Sequence, residues 1–259
     1  MAMTMMSTGT DSAPDTIGAE LHRTARTTGL LYLAFFITGI SGSMLVRGQL
    51  FAADDAQGTL SNLMEHGSLA RVGIVLELGI VLTQALTAVW FYRLFRSVDT
   101  LAAGALAAFG MVNAVAILGS AALLATALDV AGDASLAAPG GAAATVPLLY
   151  VASGHLWGGA GLFFGLWLIP MGWLVVRSRW LLQALGRTLI AGGVCYVVSA
   201  FVSYAFPDAD LVTQLLTAPA IIGEIWIMGY LVIVGIRDHA RPDRESARVT
   251  ADQDGCAAL

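Results

Sequence analysis

Six stretches of about 20 mainly apolar residues, each closed off by a polar or turn-rich segment, dominate this chain. They fall at roughly 28–46, 69–92, 101–128, 151–176, 186–206 and 216–236. Twenty residues of α-helix rise about 30 Å, the thickness of a bilayer's hydrocarbon core. A chain built this way has one economical solution: pack the runs as helices and bury their backbone polar groups within each helix. The segments between them, such as RLFRSVD and PDADLVTQ, are short or rich in turn formers.

Composition points the same way. Of 259 residues, 57% are apolar and only 12% are charged, against about 25% charged in an ordinary soluble domain. There is too little polar material to cover a water-facing globule. The net charge is −5, and all 13 basic residues are arginine. Eleven of these arginines flank the runs on one side: Arg23, Arg26, Arg93, Arg96, Arg177, Arg179, Arg187, Arg237, Arg241, Arg244 and Arg248. Only Arg47 and Arg71 fall on the other. The positive-inside rule makes the arginine-rich side cytoplasmic and places both termini there.

The first 28 residues hold no apolar core of a signal peptide, so the run starting at Gly29 is predicted to be an uncleaved span. Residues 1–27 and 237–259 read as disordered segments. A domain of six spans occupies 28–236, with a short interfacial helix expected around LSNLMEHG outside. Cys195 lies in an apolar run and Cys256 in the polar tail, so no disulfide is expected between them. No internal repeat marks an inverted-repeat transporter.

Carboxylates inside such runs need a reason. Glu224 sits in GEIWIMGYLVIVG and Glu77 in RVGIVLELGIVL, where an ionised group costs about 2.5–3.5 kcal/mol on insertion scales. Counting 1.5 Å per residue from the cytoplasmic arginines puts Glu224 at about 20 Å, Glu77 at about 24 Å and Asn113 at about 21 Å. Ser199 and Ser203 come to about 18 and 24 Å. Arg47, Arg71 and His155 reach about 31–33 Å, the external rim. Phase agrees with height. Gly73, Glu77, Val81, Gln84 and Ala88 share one helical stripe, as do Gly110, Asn113, Ile117 and Ser120, and Gly192, Cys195, Ser199 and Ser203. Gly154, Gly158, Gly161 and Gly165 line one face of the fourth run and predict close backbone approach, and Pro170 predicts a kink.

Two interpretations of Glu77 and Glu224 stay open: anchors of a pocket handling a proton, cation or solute, or carboxylates that fix helix packing. Arg47 and Arg71 either bind an anion or reach for headgroups. His155 with Glu77, Glu224 and His66 offers a weak metal set, without the spacing of a metal motif. Ser199 or Ser203 with His155 lacks the elbow of a hydrolase. The glycine runs lie within helices and not after strands, so no nucleotide loop is read and no cofactor is implied. The arginine-rich tail suits anionic lipid better than nucleic acid.

The ordered set RTARTTGLLYLAFFITGI, the VRG at 46–48, RVGIVLELGIVLTQALTAVWFYRLFRSVD, GHLWGGAGLFFGLWLIPMGWLVVRS and LTAPAIIGEIWIMGYLVIVG resembles the bacterial domain-of-unknown-function family 4386. The resemblance spans residues 23–237 and implies a polytopic bacterial membrane protein without an assigned activity. It rests on Arg47, Arg71, the stretch His155 to Gly158, the FFG at 163–165, Pro219 and Gly223 with Glu224. It also implies an arginine on the third run where this chain has Gly110.

The expectation is therefore an all-α, polytopic bundle of six transmembrane helices in a bacterial cytoplasmic membrane, with the lipid bilayer as its first partner. A small outward-facing polar pocket would bind or pass a small solute, lipid headgroup or proton. Glu77, Glu224 and Asn113 would form its floor, and Arg47, Arg71 and His155 its rim. The alternatives are a structural or regulatory membrane partner and an intramembrane hydrolase or metal-dependent enzyme.

Overall fold

Helix α1 runs from Ala13 to Ile40 and so begins well ahead of the apolar run, inside the segment expected to be disordered. The computed structural model describes the backbone of residues 13–236 and the side chains of 18–42 and 46–236. Residues 1–12 and 237–259, the rest of the two segments read as disordered, lie outside the described residues. The early start has a packing cause. Thr24, Ala25, Thr28, Tyr32 and Phe35 are buried along one stripe, so the face that packs in the apolar half continues into the polar half. Glu20 also pairs with Arg93 at 2.8 Å.

At Ser41 the winding changes. Residues Ser41–Arg47 form a π-helical stretch, followed by a single turn, α2 (Gly48–Leu50). Helix α3 (Ala56–Glu65) is capped by Asp55, whose carboxylate accepts from the Gly58 N–H. It lies across the ends of α5 and α6 with Thr59 and Leu63 buried beneath it. The short helix expected in this connection is therefore present.

Five long helices follow: α4 (Gly67–Phe95), α5 (Thr100–Gly132), α6 (Ala142–Ser178), α7 (Gln183–Ala205) and α8 (Asp210–Ile233). Asp99 caps α5 by accepting from the Ala102 N–H at 3.1 Å. Arg179 ends α6 in the left-handed conformation, φ 57°. These five are long and apolar enough to cross a membrane. Among the described residues the helix α1 does not qualify, because its first half carries Glu20, Arg23 and Arg26 and its apolar run passes into the π-helical stretch. The expected first span is thus shared between two kinds of helix.

Each of the six long helices packs on the next, α1 on α4 and so on to α8, which closes back on α1. The ring's outer surface is apolar, and its interior holds buried polar side chains among a larger apolar core. Glu77, Gln84, Asn113, Ser120, Ser153 and Glu224 are buried, whereas Val75, Leu82, Val115, Phe201 and Ile222 face outward. That inversion of the water-soluble pattern is what a lipid surround favours.

Glycine sets the tightest contacts. A Cβ on Gly193 would lie 2.8 Å from the Gly165 carbonyl oxygen, and one on Gly172 would lie 2.4 Å from that of Gly186. Helices α6 and α7 therefore touch backbone to backbone. Of the four-glycine face expected to do this, only Gly165 does. Gly154, Gly158 and Gly161 instead make room for the side chains of Arg47, Tyr204 and Tyr196. At the arginine-rich end the ring is filled by Tyr32, Phe35, Phe91, Phe95 and Trp167. Tyr32 and Phe91 meet the Trp167 ring nearly edge-on at 5.6 and 5.9 Å. At the other end, Leu50, Leu63, Val130, Val146 and Tyr150 form a second cluster beneath α3.

Candidate functional site

Between these two apolar clusters the ring encloses a cavity of about 660 Å³, within the usual range for small-molecule sites. Every long helix contributes to its wall, and Glu77, Glu224, Asn113 and Arg47 all line it. Four sequence-predicted residues, scattered over 178 positions, thus share one space.

Glu77 is held from two helices, α5 and α6. Its Oε1 accepts from the Trp157 indole N–H at 3.1 Å and from the Ser120 hydroxyl at 3.3 Å. Ser120 lies 2.7 Å from the Ser153 hydroxyl, and Ser153 accepts from an Arg47 Nη at 3.1 Å. Because Ser120 spends its proton on Glu77, Ser153 must donate to Ser120. The polarity of the guanidinium is therefore passed to the carboxylate through two hydroxyls, without a direct ion pair. Arg47 also donates to the Tyr150 carbonyl at 2.9 Å. Oε2 of Glu77 is buried and has no hydrogen-bond partner among the described residues.

Glu224 is held differently. Tyr32 on α1 donates its hydroxyl to Glu224 Oε1 on α8, so the bond spans the seam at which the ring closes. Asn113 donates to Gln84 Oε1 at 2.9 Å, and the Gln84 amide nitrogen is itself buried without a partner.

Family comparison fits this architecture. The profile described as Domain of unknown function (DUF4386) matches residues 27–235, most of the chain. The chain belongs to DUF4386. No curated protein and no solved structure matches it.

Two candidate residues of this DUF4386 protein stand apart from the cavity. Arg71 is exposed. His155 is exposed too, with its ring stacked on Tyr204 at 6.2 Å and its carbonyl accepting from the Tyr204 hydroxyl at 3.3 Å. The reason is phase: Gly154 and Trp157 bracket His155 and point inward, which turns the imidazole to the outer face. Ser199 and Ser203 bond to the carbonyls of Tyr196 and Ala200 on their own helix. Among the described residues no three His, Cys, Asp or Glu side chains come together as metal ligands.

Gly110 of this DUF4386 chain has no space for a longer side chain, since a Cβ there would lie 2.8 Å from the Trp167 ring. Sequence reasoning missed Tyr32, Trp157 and Ser153 as parts of the site. A signal existed for the first two, because a Tyr or Trp inside an apolar run usually finds a partner for its O–H or N–H.

Proposed function

We propose that this DUF4386 protein is a six-span protein of the bacterial cytoplasmic membrane, both termini inside, whose outward-half cavity binds or passes a small ligand. The sixth span is the continuous apolar rod of α1 and its π-helical extension. The arginine asymmetry supports the orientation. A small solute, a lipid headgroup or a proton would meet Glu77, Glu224, Asn113 and Arg47 in one space.

One observation carries this reading: two carboxylates 147 positions apart in the chain line the same cavity, and one oxygen of Glu77 is left without a donor among the described residues. A buried acceptor without a partner costs about 1–3 kcal/mol, a cost that a bound donor would remove. The second reading, a packing role, is favoured by the bond of Glu224 to Tyr32 across the seam and by those of Glu77 to Trp157 and Ser120.

The test is the double substitution Glu77→Gln with Glu224→Gln in purified protein, screened by thermal unfolding against small amines, carboxylates and headgroup analogues. Normal folded yield with lost ligand stabilisation supports a binding cavity. Reduced yield with ligand response retained supports packing and overturns it.

A further inference from the structure

The cavity has a mouth, and its position narrows the ligand. Helices α1 and α8 are tight at one end, where a Cβ on Gly29 would lie 2.8 Å from Leu231 Cβ and 2.9 Å from the Val232 nitrogen. They part at the other. Gly39, Ile40, Thr217 and Ile221, two from each helix of the seam, line the cavity, yet Ile40 and Ile221 are 44% and 45% exposed. Among the described residues no atom stands within 4 Å of where a Gly39 Cβ would be. The opening therefore passes sideways between two apolar helix faces, and among the described residues its rim is apolar save for the Thr217 hydroxyl, which bonds back to the Gln214 carbonyl.

Inside, charge and shape favour one kind of head. The lining carries two acids against one base. The base is already engaged by Ser153 and the Tyr150 carbonyl, while Glu77 Oε2 has no donor among the described residues. Phe35, Phe36, Trp157, Phe164 and Tyr196 add aromatic surface, which attracts cations through the ring faces and apolar chains by burial.

We propose that the cavity is entered from the hydrocarbon through the α1–α8 gap and takes an amphiphile with a protonated amine head and an apolar chain. The head meets Glu77, Glu224 faces it from α8, and the chain runs out over Gly39. This identification rests on the binding reading above and adds to it the chemical class and the route.

The experiment uses the full chain in phosphatidylcholine nanodiscs, with dodecylamine, dodecanol, dodecyl phosphate and butylamine as probes and the unfolding midpoint as readout. Dodecylamine is expected to raise the midpoint saturably, with dodecanol and dodecyl phosphate weaker by about tenfold. Gly39→Trp is expected not to lower the probe-free midpoint and to abolish the dodecylamine response. Glu77→Gln is expected to weaken it about tenfold, and if that variant fails to fold, Gly39→Trp alone decides. Equal response to butylamine, preference for dodecyl phosphate, or an inert Gly39→Trp would overturn the proposal while leaving a binding cavity standing. No response to any probe here or in the wider screen removes both.

Discussion

The indole N–H of Trp157 on α6 donates to Oε1 of Glu77 on α4 at 3.1 Å, so these helices, not neighbours in the ring, are joined across the cavity. Trp157→Phe keeps the aromatic surface and deletes the donor. It is expected to destabilise the protein by about 1–3 kcal/mol, measured by unfolding in detergent, with Trp157→Ala costing more through lost packing.

Tyr32 and Glu224 close the ring through one hydrogen bond. Tyr32→Phe removes the donor and leaves a buried acceptor, at an expected cost of about 1–3 kcal/mol. Glu224→Gln keeps an acceptor oxygen for Tyr32 and should cost less than Tyr32→Phe; a larger cost would show that Glu224 has a partner of its own beyond Tyr32.

Two glycines should respond in opposite senses. Gly193→Ala drives a Cβ to 2.8 Å from the Gly165 carbonyl, so α6 and α7 must move apart, with an expected loss of about 1–3 kcal/mol. Gly104→Ala, inside α5 with no atom within 4 Å of its Cβ position, should stabilise by about 0.5–1 kcal/mol through helix propensity alone. Paired thermal melts of the two variants check the sign of each.

Asp99, at the start of α5, is held below the usual carboxylate range by the Ala102 N–H and further by the Arg177 guanidinium. Its folded-state pKa is depressed, so its contribution is full above the unfolded value of about 3.9 and is lost as pH falls through the folded value. Asp99→Ala should therefore differ from wild type by a constant amount near neutrality and converge with it in acid. Acid titrations of both proteins, followed by helix content, test this.

The topology has its own check. A membrane-impermeant thiol reagent applied to intact cells should label Ser135→Cys, placed in the connection before α6, in a Cys195→Ser, Cys256→Ser background. Ser97→Cys, between α4 and α5, should react only after permeabilisation; labelling of both without it would refute the orientation.

The helical class and the inward faces of Glu77, Asn113 and Ser120 were readable because apolar runs of this length favour helices whose polar side chains turn to the bundle interior, whereas Ser203, read on an inward stripe, is exposed. Depth along the helix was readable for the same reason, since rise per residue is fixed, and it brought Glu77, Glu224 and Asn113 to one cavity. Rotation about the helix was not readable at the rim. His155 and Trp157 are two residues apart, and only the packing of α6 on α5 and α7 decides which of them points in. Nor could α1 be delimited from hydropathy, since Thr24, Ala25 and Thr28 are buried by contacts that a polar segment does not advertise.

The π-helical stretch at Ser41–Arg47 makes backbone length part of the chemistry. Such winding fits extra residues into the same rise, and Arg47 closes the stretch while reaching Ser153 and the Tyr150 carbonyl. Removing one residue ahead of it and restoring ordinary winding would swing the guanidinium by about 100° around the rod, stranding Ser153 and Ser120 without their cationic source. In this protein a shift in spacing, with every side chain retained, is expected to break the hydrogen-bond chain from Arg47 to Glu77.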